Sequence, residues 1–283
     1  PGVAFDGERI ISSREAMVLP ERPASLVIIG AGAIGVEFAY FFASLGTKVS
    51  LVEMMPHILP IEDAEAVQVV EKAFKKIGID MFTSTRVDKV EKSGTGVRIH
   101  TSGKEESKIL EGEKALIAIG VQGNIENLGL EELGVKTEKG HIVVDKKSYR
   151  TSVNGIYAIG DVIGPPWLAH VASAEGIAAV EGIAGHPAVP VDYENVPGCT
   201  YCQPQVASVG LTEEKAREKG LEIKVGRFPI RANGKSMAMG ESEGFAKLIF
   251  DARYGELVGA HIVGAEATEL LAELNLGKTL ETT

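Results

Sequence analysis

A glycine-rich segment between two apolar runs constrains this chain more than any other feature. Gly30, Gly32 and Gly35 follow the apolar run 26–29, and a second apolar run ends at Glu53. Strand, glycine turn, helix, second strand and terminal acid occur in this order in a dinucleotide-binding βαβ unit. The sequence therefore predicts a parallel sheet that binds a dinucleotide at its carboxyl edge. The alternative is a purely steric glycine turn in another α/β protein.

The three glycines have different steric roles in such a unit. Gly30 permits the tight turn, Gly32 lets the backbone approach a pyrophosphate, and Gly35 lets the helix lie close to the strand. The free N–H groups at the helix start then point at the phosphates. Glu53 lies about 20 residues further along, where a carboxylate accepts both ribose hydroxyls of NAD and repels the extra phosphate of NADP. The pattern therefore predicts NAD as the cofactor.

Hydrophobic periodicity predicts the elements around this unit. Further along the chain we expect a helix at 64–77, a hairpin that joins 86–92 to 96–102, and a buried strand at 114–119. This order fits a parallel Rossmann sheet with a three-stranded antiparallel excursion. The helix after the glycine turn is expected to bury one apolar stripe, formed by Ile34, Phe38, Phe41, Phe42 and Leu45.

Length and composition exclude several classes of protein. The 283 residues suffice for roughly two domains. A net charge of −10 argues against nucleic acid or an anionic membrane as a partner. No apolar run approaches the length of a membrane span, and no signal peptide is recognisable. Because the chain begins at Pro1 and its last segment completes no element, we expect a piece of a longer protein.

The two cysteines, Cys199 and Cys202, stand close together. A C-x-x-C pair is typical of redox and zinc sites. Zinc needs two further ligands, and a thioredoxin-like site would place the pair at a helix N-terminus. Since prolines flank this pair and a predicted strand follows at 206–209, we interpret both cysteines as ordinary strand-edge residues and predict no metal site.

A second signature follows at 151–162. Its predicted strand, 156–159, ends at Gly160 and Asp161, and a loop then leads to an alanine-rich helix at 171–185. An aspartate at the carboxyl end of a parallel strand is positioned to bind a polyol or ribose hydroxyl. It could equally cap the following helix, and the spacing alone leaves these two alternatives open.

From about residue 193 the pattern changes to that of an antiparallel sheet. We expect strands at 206–210, 226–230, 244–251 and 256–263, helices at 213–219 and 265–274, and a turn at 254–255.

Several motifs stand in the order found in one known family. They are Pro1–Gly2, 11–13, Gly30–Glu37, 118–120, 156–161, 168–170, 244–249 and 258–264. On these motifs the chain resembles the pyridine nucleotide–disulfide oxidoreductases, and with Glu53 and 168–170 it is most similar to the dihydrolipoamide dehydrogenases among them. The resemblance implies an α/β fold in which a Rossmann-type NAD domain is inserted in an incomplete FAD domain, followed by an α+β interface domain with an antiparallel sheet.

The resemblance also implies domain boundaries. Residues 1–22 would be the exit segment of the FAD domain, 23–145 the NAD-binding domain, and 146–192 the C-terminal part of the FAD domain. Residues 193–283 would be a truncated interface domain that builds a homodimer.

Two cofactor sites follow from the same resemblance. Asp161 would bind a ribityl hydroxyl of FAD, which favours the flavin over the capping alternative for this residue. Glu37 would face the flavin side and pair with a lysine before residue 1; its alternative is a first-turn carboxylate favoured by the helix dipole.

The NAD site is assigned to Gly30, Ala31, Gly32, Ala33, Ile34, Gly35, Val36, Glu37, Glu53, Val87 and Gly120. The FAD site is assigned to Asp161, Trp167, Leu168, Ala169 and His170, the last four placing helix N–H groups against the flavin pyrimidine edge.

For a whole protein the resemblance implies electron transfer from dihydrolipoamide through a redox disulfide and FAD to NAD. It implies lipoyl domains of 2-oxo acid dehydrogenase complexes as partners and a cytoplasmic location, or the mitochondrial matrix in a eukaryote. The family's C-x-x-x-x-C pair and its His-Pro-Thr-x-x-Glu motif are not among the 283 residues. We therefore assign no catalytic residue and expect the chain alone to bind NAD without turning over lipoamide. The alternatives are a related NAD(P)H-dependent disulfide or mercuric reductase and a non-catalytic NAD-binding dimer module.

Overall fold

The computed structural model describes residues 4–103 and 107–283, which fold into two units. The chain through Ile119 together with Pro197–Thr283 forms the larger unit, and Gly120–Val196 forms the smaller one. The Pro1–Gly2 motif lies outside the described residues. Since the larger unit contains both the segment with the glycine turn and the C-terminal segment, the four-part division into FAD, NAD and interface segments stays a prediction.

The larger unit begins with alternating strands and helices. Its elements up to Ile119 are β1 (Ile10–Ile11), α1 (Ser13–Ala16), β2 (Ser25–Ile29), α2 (Ala33–Ser44), β3 (Lys48–Val52), α3 (Ala64–Lys76), β4 (Asp80–Phe82), β5 (Thr85–Ser93), β6 (Gly96–Gly103), β7 (Ser107–Gly112) and β8 (Lys114–Ile117). A five-stranded parallel sheet has the order β1–β8–β2–β3–β4, and β5, β6 and β7 form a three-stranded antiparallel sheet. The Rossmann sheet with its antiparallel excursion is therefore confirmed.

The parallel sheet has an apolar layer on each face. Val27 and Ile29 pack toward the three-stranded sheet, in one cluster with the buried side chains of β6. Leu26 and Ile28 point to the other face and join the cluster formed with α2 and α3. Burial of each such side chain contributes about 1.5–3 kcal/mol. This double layer explains why β2 is apolar without alternation, and it holds the carboxyl ends of β2 and β3 next to each other.

The apolar stripe predicted on α2 is confirmed at Phe42, which is buried, and at Phe38, which packs against the same cluster, but the other three residues of the stripe are turned away from the sheet. A Cβ built on Gly35 would lie 1.9 Å from the Gly30 carbonyl oxygen, so the close contact at Gly35 sets the rotation of the helix. The buried residues of α2 are Gly35, Val36, Ala39 and Phe42, whereas Ile34, Phe41 and Leu45 of the predicted stripe are exposed and Phe38 is half-buried.

The smaller unit has little regular sheet. Its elements are β9 (Thr137–Glu138), β10 (His141–Ile142) and α4 (Ala169–Ile183), with 3-10 turns at Gly160–Ile163 and Tyr193–Asn195. The alanine-rich helix is confirmed as α4. The strand predicted at 156–159 is wrong: in the described part of the chain this stretch makes one antiparallel bridge, Tyr157 to Arg150, because no neighbouring strand there pairs with it.

The C-terminal part of the larger unit is built on an antiparallel sheet. Its elements are β11 (Gly198–Thr200), β12 (Gln205–Gly210), α5 (Glu213–Glu218), β13 (Ile223–Pro229), α6 (Gly234–Met239), β14 (Phe245–Asp251), β15 (Leu257–Gly264) and α7 (Ala267–Thr279). The strands pair in the order β11–β12–β15–β14–β13. The predicted strands and helices of this region are confirmed, and α7 packs on one face of the sheet.

The other face of this sheet packs against α3, with a buried lysine in the contact. Lys247 on β14 is 2% exposed, and its Nζ lies 2.9 Å from Asp63 Oδ2. The same Nζ lies 2.7 Å from Glu65 Oε1 and 2.9 Å from Glu213 Oε2. Arg227 bonds both glutamates from the exposed side. Because Asp63 also caps α3, this lysine cluster fastens the start of α3 to the C-terminal sheet.

Helix length bears on membrane association. Helix α4 of the smaller unit spans 15 residues. A helix needs about 20 residues to cross a bilayer. Across residues 4–103 and 107–283, no helix has both the length and the apolar character of a membrane span.

Candidate nucleotide-binding site

The turn between β2 and α2 places its glycines in different surroundings. Gly30 has φ +99°, and a Cβ built there would lie 2.4 Å from the Ala118 carbonyl oxygen. With the contact of Gly35 against Gly30, only glycine allows α2 to start this close to β2. A Cβ on Gly32 would meet nothing within 4 Å, so space is open beside this backbone. These surroundings match the steric roles expected of a pyrophosphate turn.

Helix α2 begins without a side-chain cap. Its N-cap residue is Gly32, which has no side chain to accept from the first N–H groups. The first helical bond runs from the Val36 N–H to the Gly32 oxygen at 3.0 Å. The N–H groups of Ala33 and Ile34 precede this bond, and both residues are exposed. Such groups carry the positive end of the helix dipole and suit a phosphate.

The carboxylate of Glu53 lies at this turn. Its Oε2 accepts from the Ala31 N–H at 2.7 Å, and its Oε1 accepts from the Met55 N–H at 2.8 Å. The residue is only 9% exposed. Each carboxylate oxygen can accept a further hydrogen bond. The side chain is thus fixed by the backbone and retains acceptor capacity for a pair of hydroxyl groups.

Glu37 lies beyond the first turn of α2, which contains no acidic residue. The alternative of a first-turn carboxylate stabilised by the helix dipole is therefore wrong. Glu37 Oε1 instead accepts from the Tyr201 N–H at 2.8 Å. Burial raises the pKa of Glu37 above its usual range, and the Tyr201 N–H opposes this shift. The residue links α2 to the chain after β11, and its pairing with a lysine stays a prediction.

Val87 and Gly120 are the outlying residues of the predicted NAD site. Val87 on β5 lies beside a bulge in the pairing with β6. It packs half-buried against the layer that includes Ile29 and Val52, the last residues of β2 and β3. Gly120 belongs to the smaller unit, is exposed, and has φ +139°. For both residues a role in NAD binding stays a prediction.

The residues assigned to FAD all lie in the smaller unit. Asp161 is exposed in a 3-10 turn that packs against α4. Leu168 is the N-cap of α4 and makes no side-chain cap bond, while Ala169 and His170 lie in the first turn. Asp161 therefore does not cap α4, and that alternative is wrong. Trp167 is 37% exposed. The exposed Asp161 carboxylate suits a hydroxyl donor, and the uncapped start of α4 suits a group with developing negative charge.

A buried glutamate that the sequence analysis missed holds the Asp161 turn. Glu175 on α4 is 2% exposed; its Oε2 accepts from the Gly160 N–H at 2.6 Å, and its Oε1 accepts from the Tyr193 hydroxyl at 2.6 Å. Burial and this bond raise the pKa of Tyr193. An acid in an alanine-rich helix is typical of a solvent-facing position, so only the fold reveals this contact.

Cys199 and Cys202 are free thiols in an environment that disfavours the thiolate. Cys199 lies on the edge strand β11, and the buried Cys202 donates to the Pro204 oxygen at 3.1 Å. Burial raises the pKa of Cys202 to about 12, and burial with nearby Glu62 raises that of Cys199. Within the described ranges, no three His, Cys, Asp or Glu side chains are grouped to hold a metal ion.

The fold and this turn define a class of protein: an α/β protein with the strand, glycine turn and helix typical of dinucleotide-binding proteins, followed by an antiparallel sheet. Residues 1–176 match the family described as pyridine nucleotide-disulphide oxidoreductase, and residues 196–283 match the dimerisation domain of the same family. The chain belongs to the pyridine nucleotide-disulphide oxidoreductases, a family of enzymes. The resemblance seen in the motifs is confirmed.

Relatives and solved structures agree with this assignment. The chain is 52% identical over 287 residues to the dihydrolipoyl dehydrogenase of Rhizobium etli and 49% identical over 285 residues to that of Zymomonas mobilis, with 100% of this chain covered in both. It spans 59% and 61% of the length of these proteins. The crystal structure of LpdA from Mycobacterium tuberculosis superposes with a TM-score of 0.91 at 30% identity, covering 100% of this chain and 62% of that one. The HOCl-induced flavoprotein disulfide reductase RclA from Escherichia coli gives 0.90 at 27%, covering 100% and 65%. The predicted fold class is confirmed.

Proposed function

We propose that this chain is the nucleotide-binding portion of a dihydrolipoamide dehydrogenase and that it binds NAD at the turn between β2 and α2. The observation that carries the proposal is the bond from the Ala31 N–H to the Glu53 carboxylate. This bond sets an acceptor for ribose hydroxyls beside the uncapped start of α2, which suits a pyrophosphate. The names of the relatives support the choice of dihydrolipoamide as the substrate of the whole protein.

The residues of this chain bind and orient the dinucleotide in this proposal. The N–H groups of Gly32, Ala33 and Ile34 hold the pyrophosphate, and the open space at Gly32 admits it. Glu53 accepts the ribose hydroxyls, while Val87 lines the same site. When bound, NAD supplies the hydride acceptor of the reaction.

The same proposal places FAD on the smaller unit. Asp161 would accept from a ribityl hydroxyl, and 167–170 would direct helix N–H groups at the flavin pyrimidine edge. Residues 193–283 would build a homodimer, and 23–145 would form the NAD domain between the FAD segments 1–22 and 146–192. Lipoyl domains of 2-oxo acid dehydrogenase complexes would be the partners of the whole protein, in the cytoplasm or the mitochondrial matrix.

Calorimetric titration of the purified chain with NAD tests the central claim. We expect saturable binding of one NAD per chain and at least about tenfold weaker binding of NADP, since Glu53 repels the extra phosphate. We expect no lipoamide turnover by the chain alone. Absence of saturable NAD binding would contradict the proposal. A flavin absorbance band in the purified protein supports the FAD assignment, whereas a colourless chain that binds NAD favours a non-catalytic nucleotide-binding module.

A further inference from the structure

The loop between β3 and α3 contains a residue in an unfavourable backbone conformation. Leu59 has φ +47°, although it carries a large side chain and precedes Pro60. The left-handed region is costly for any residue with a Cβ, and a following proline favours extended backbone. Such a conformation persists only where the surrounding contacts enforce it, and it is frequent at functional sites.

Two contacts hold Leu59 in this conformation. Its side chain is 2% exposed and packs, like that of its neighbour Ile58, in the apolar cluster formed with α2 and α3. Its backbone N–H donates to the Ala31 carbonyl oxygen at 2.7 Å. The side chain therefore anchors the loop in the core, and the backbone of the same residue reaches the glycine turn.

Ala31 is consequently held on both sides. Its N–H donates to Glu53, and its carbonyl accepts from Leu59; the residue is fully buried. The Ala31 carbonyl and the Gly32 N–H belong to one planar trans peptide unit, in which they point in opposite directions. A hydrogen bond that fixes the Ala31 carbonyl thus fixes the direction of the Gly32 N–H.

We propose that Leu59 is a positioning residue for the pyrophosphate of the dinucleotide. By holding the Ala31 carbonyl, it aims the Gly32 N–H at the position that a phosphate oxygen takes. Leu59 contacts the turn and not the ligand. The inference rests on the proposed NAD site and adds to it a residue that lies outside the glycine fingerprint.

Three substitutions separate positioning from packing. Leu59→Ala removes the anchor and keeps the cost of a positive φ, so the backbone relaxes and the bond to Ala31 is lost. Leu59→Gly also removes the anchor, but glycine adopts positive φ freely and keeps the bond. Ile58→Ala is the matched control, because Ile58 is fully buried in the same cluster.

The Kd for NAD is measured for each variant at a temperature where circular dichroism shows it folded. We expect Leu59→Ala to raise the Kd about tenfold, equivalent to about 1.4 kcal/mol. Leu59→Gly and Ile58→Ala should each change it by less than about threefold. An unchanged Kd for Leu59→Ala, a weaker affinity for the glycine than for the alanine variant, or an equal loss for Ile58→Ala would each overturn the inference.

A second measurement keeps the two proposals separable. The Gly32 amide resonance of the ligand-free chain should shift in Leu59→Ala and stay in place in Ile58→Ala. If the wild-type chain binds no NAD, the proposed function fails, and an unmoved Gly32 resonance in Leu59→Ala overturns the positioning role. Should Leu59→Ala not fold, Leu59→Val gives the same comparison. Valine leaves a smaller cavity than alanine, and its β-branched side chain disfavours positive φ still more.

Discussion

The Glu53 carboxylate accepts a hydrogen bond from the Ala31 N–H at 2.7 Å, so the acid that directly follows β3 is bonded to the glycine turn that follows β2. The usual description of such an acid is a ribose acceptor that stands apart from the phosphate turn. Here the same side chain also fixes the turn. One carboxylate oxygen accepts from the Ala31 N–H, and the other accepts from the Met55 N–H, which holds the carboxylate in place. Truncation of Glu53 therefore disturbs two parts of the site at once.

Glu53→Gln is a sharper test of the ribose contact than Glu53→Ala. The glutamine keeps one oxygen acceptor for the turn but removes the charge that strengthens bonds to hydroxyls and repels a phosphate. We expect the Kd for NAD to rise about tenfold and the Kd for NADP to rise less, so the preference for NAD narrows. Calorimetry with both nucleotides measures this, with Glu111→Gln on exposed β7 as a control. Equal losses for NAD and NADP would show that the charge does not discriminate.

The ion pairs of Lys247, where α3 packs against the C-terminal sheet, are the second testable contact. Lys247→Met leaves the buried Asp63 carboxylate without its cation, which we expect to lower the free energy of unfolding by about 3–5 kcal/mol. Arg227→Met, on the exposed side of the same cluster, should cost about 0–1 kcal/mol. Urea denaturation at pH 7 compares the two variants. A Lys247→Met variant as stable as the wild type would show that apolar packing replaces the cluster.

The same cluster predicts a dependence on pH. Bonds from Arg227 hold the pKa of Glu65 at about 2, and bonds from Lys247 hold that of Glu213 at about 2. Both values lie below the ordinary 4.5, so this stabilisation is complete above pH 4.5 and is lost as the pH falls toward 2. The difference between wild type and Lys247→Met should therefore shrink over this range. A constant difference would contradict the role of these carboxylates.

Local sequence predicts those elements of the fold that depend on one short residue pattern. Apolar runs such as 26–29 predict strands that are covered on both faces, and the glycine spacing predicts the turn. The stripe predicted on α2 is wrong at Ile34, Phe41 and Leu45 because the rotation of the helix depends on the contact of Gly35 with Gly30, which a count of apolar residues does not include. Leu59, Glu175 and Lys247 act through partners 15 to 184 residues away, and no local pattern reports such distances. The proline after Leu59 favours extended backbone, so it predicts the opposite of the positive φ that Leu59 adopts.

Glu37 offers a test of how burial on helix α2 affects stability. Burial raises its folded-state pKa above the unfolded value, so its contribution to stability is present below the unfolded pKa and is lost as the pH rises through the folded pKa. Glu37→Gln keeps a carbonyl acceptor for the Tyr201 N–H without the charge. We expect a Tm about 1–3 °C above that of the wild type at neutral to alkaline pH and no difference at acid pH. Glu131→Gln on the exposed surface is the control; a rise that persists in acid would contradict burial as the cause.

Glu175 is the acceptor that joins the Asp161 turn to Tyr193, and its removal should loosen that turn. Glu175→Ala removes the acceptor of the Gly160 N–H and one of the two hydrogen-bond partners of the Tyr193 hydroxyl, the other being Tyr149, which we expect to cost about 1–3 kcal/mol in unfolding free energy. Tyr193→Phe removes one of these bonds and should cost about 1 kcal/mol. Hydrogen exchange at the Gly160 amide should accelerate strongly in Glu175→Ala and little in Tyr193→Phe.

The combination of both substitutions provides the decisive comparison. Because Tyr193 and Glu175 share one hydrogen bond, the double variant should cost less than the sum of the two single variants. Glu181→Ala, six residues further along α4, is the matched control and should leave exchange at Gly160 unchanged. Additive costs, or slow Gly160 exchange in Glu175→Ala, would mean that the turn is held by its packing on α4 and not by this carboxylate.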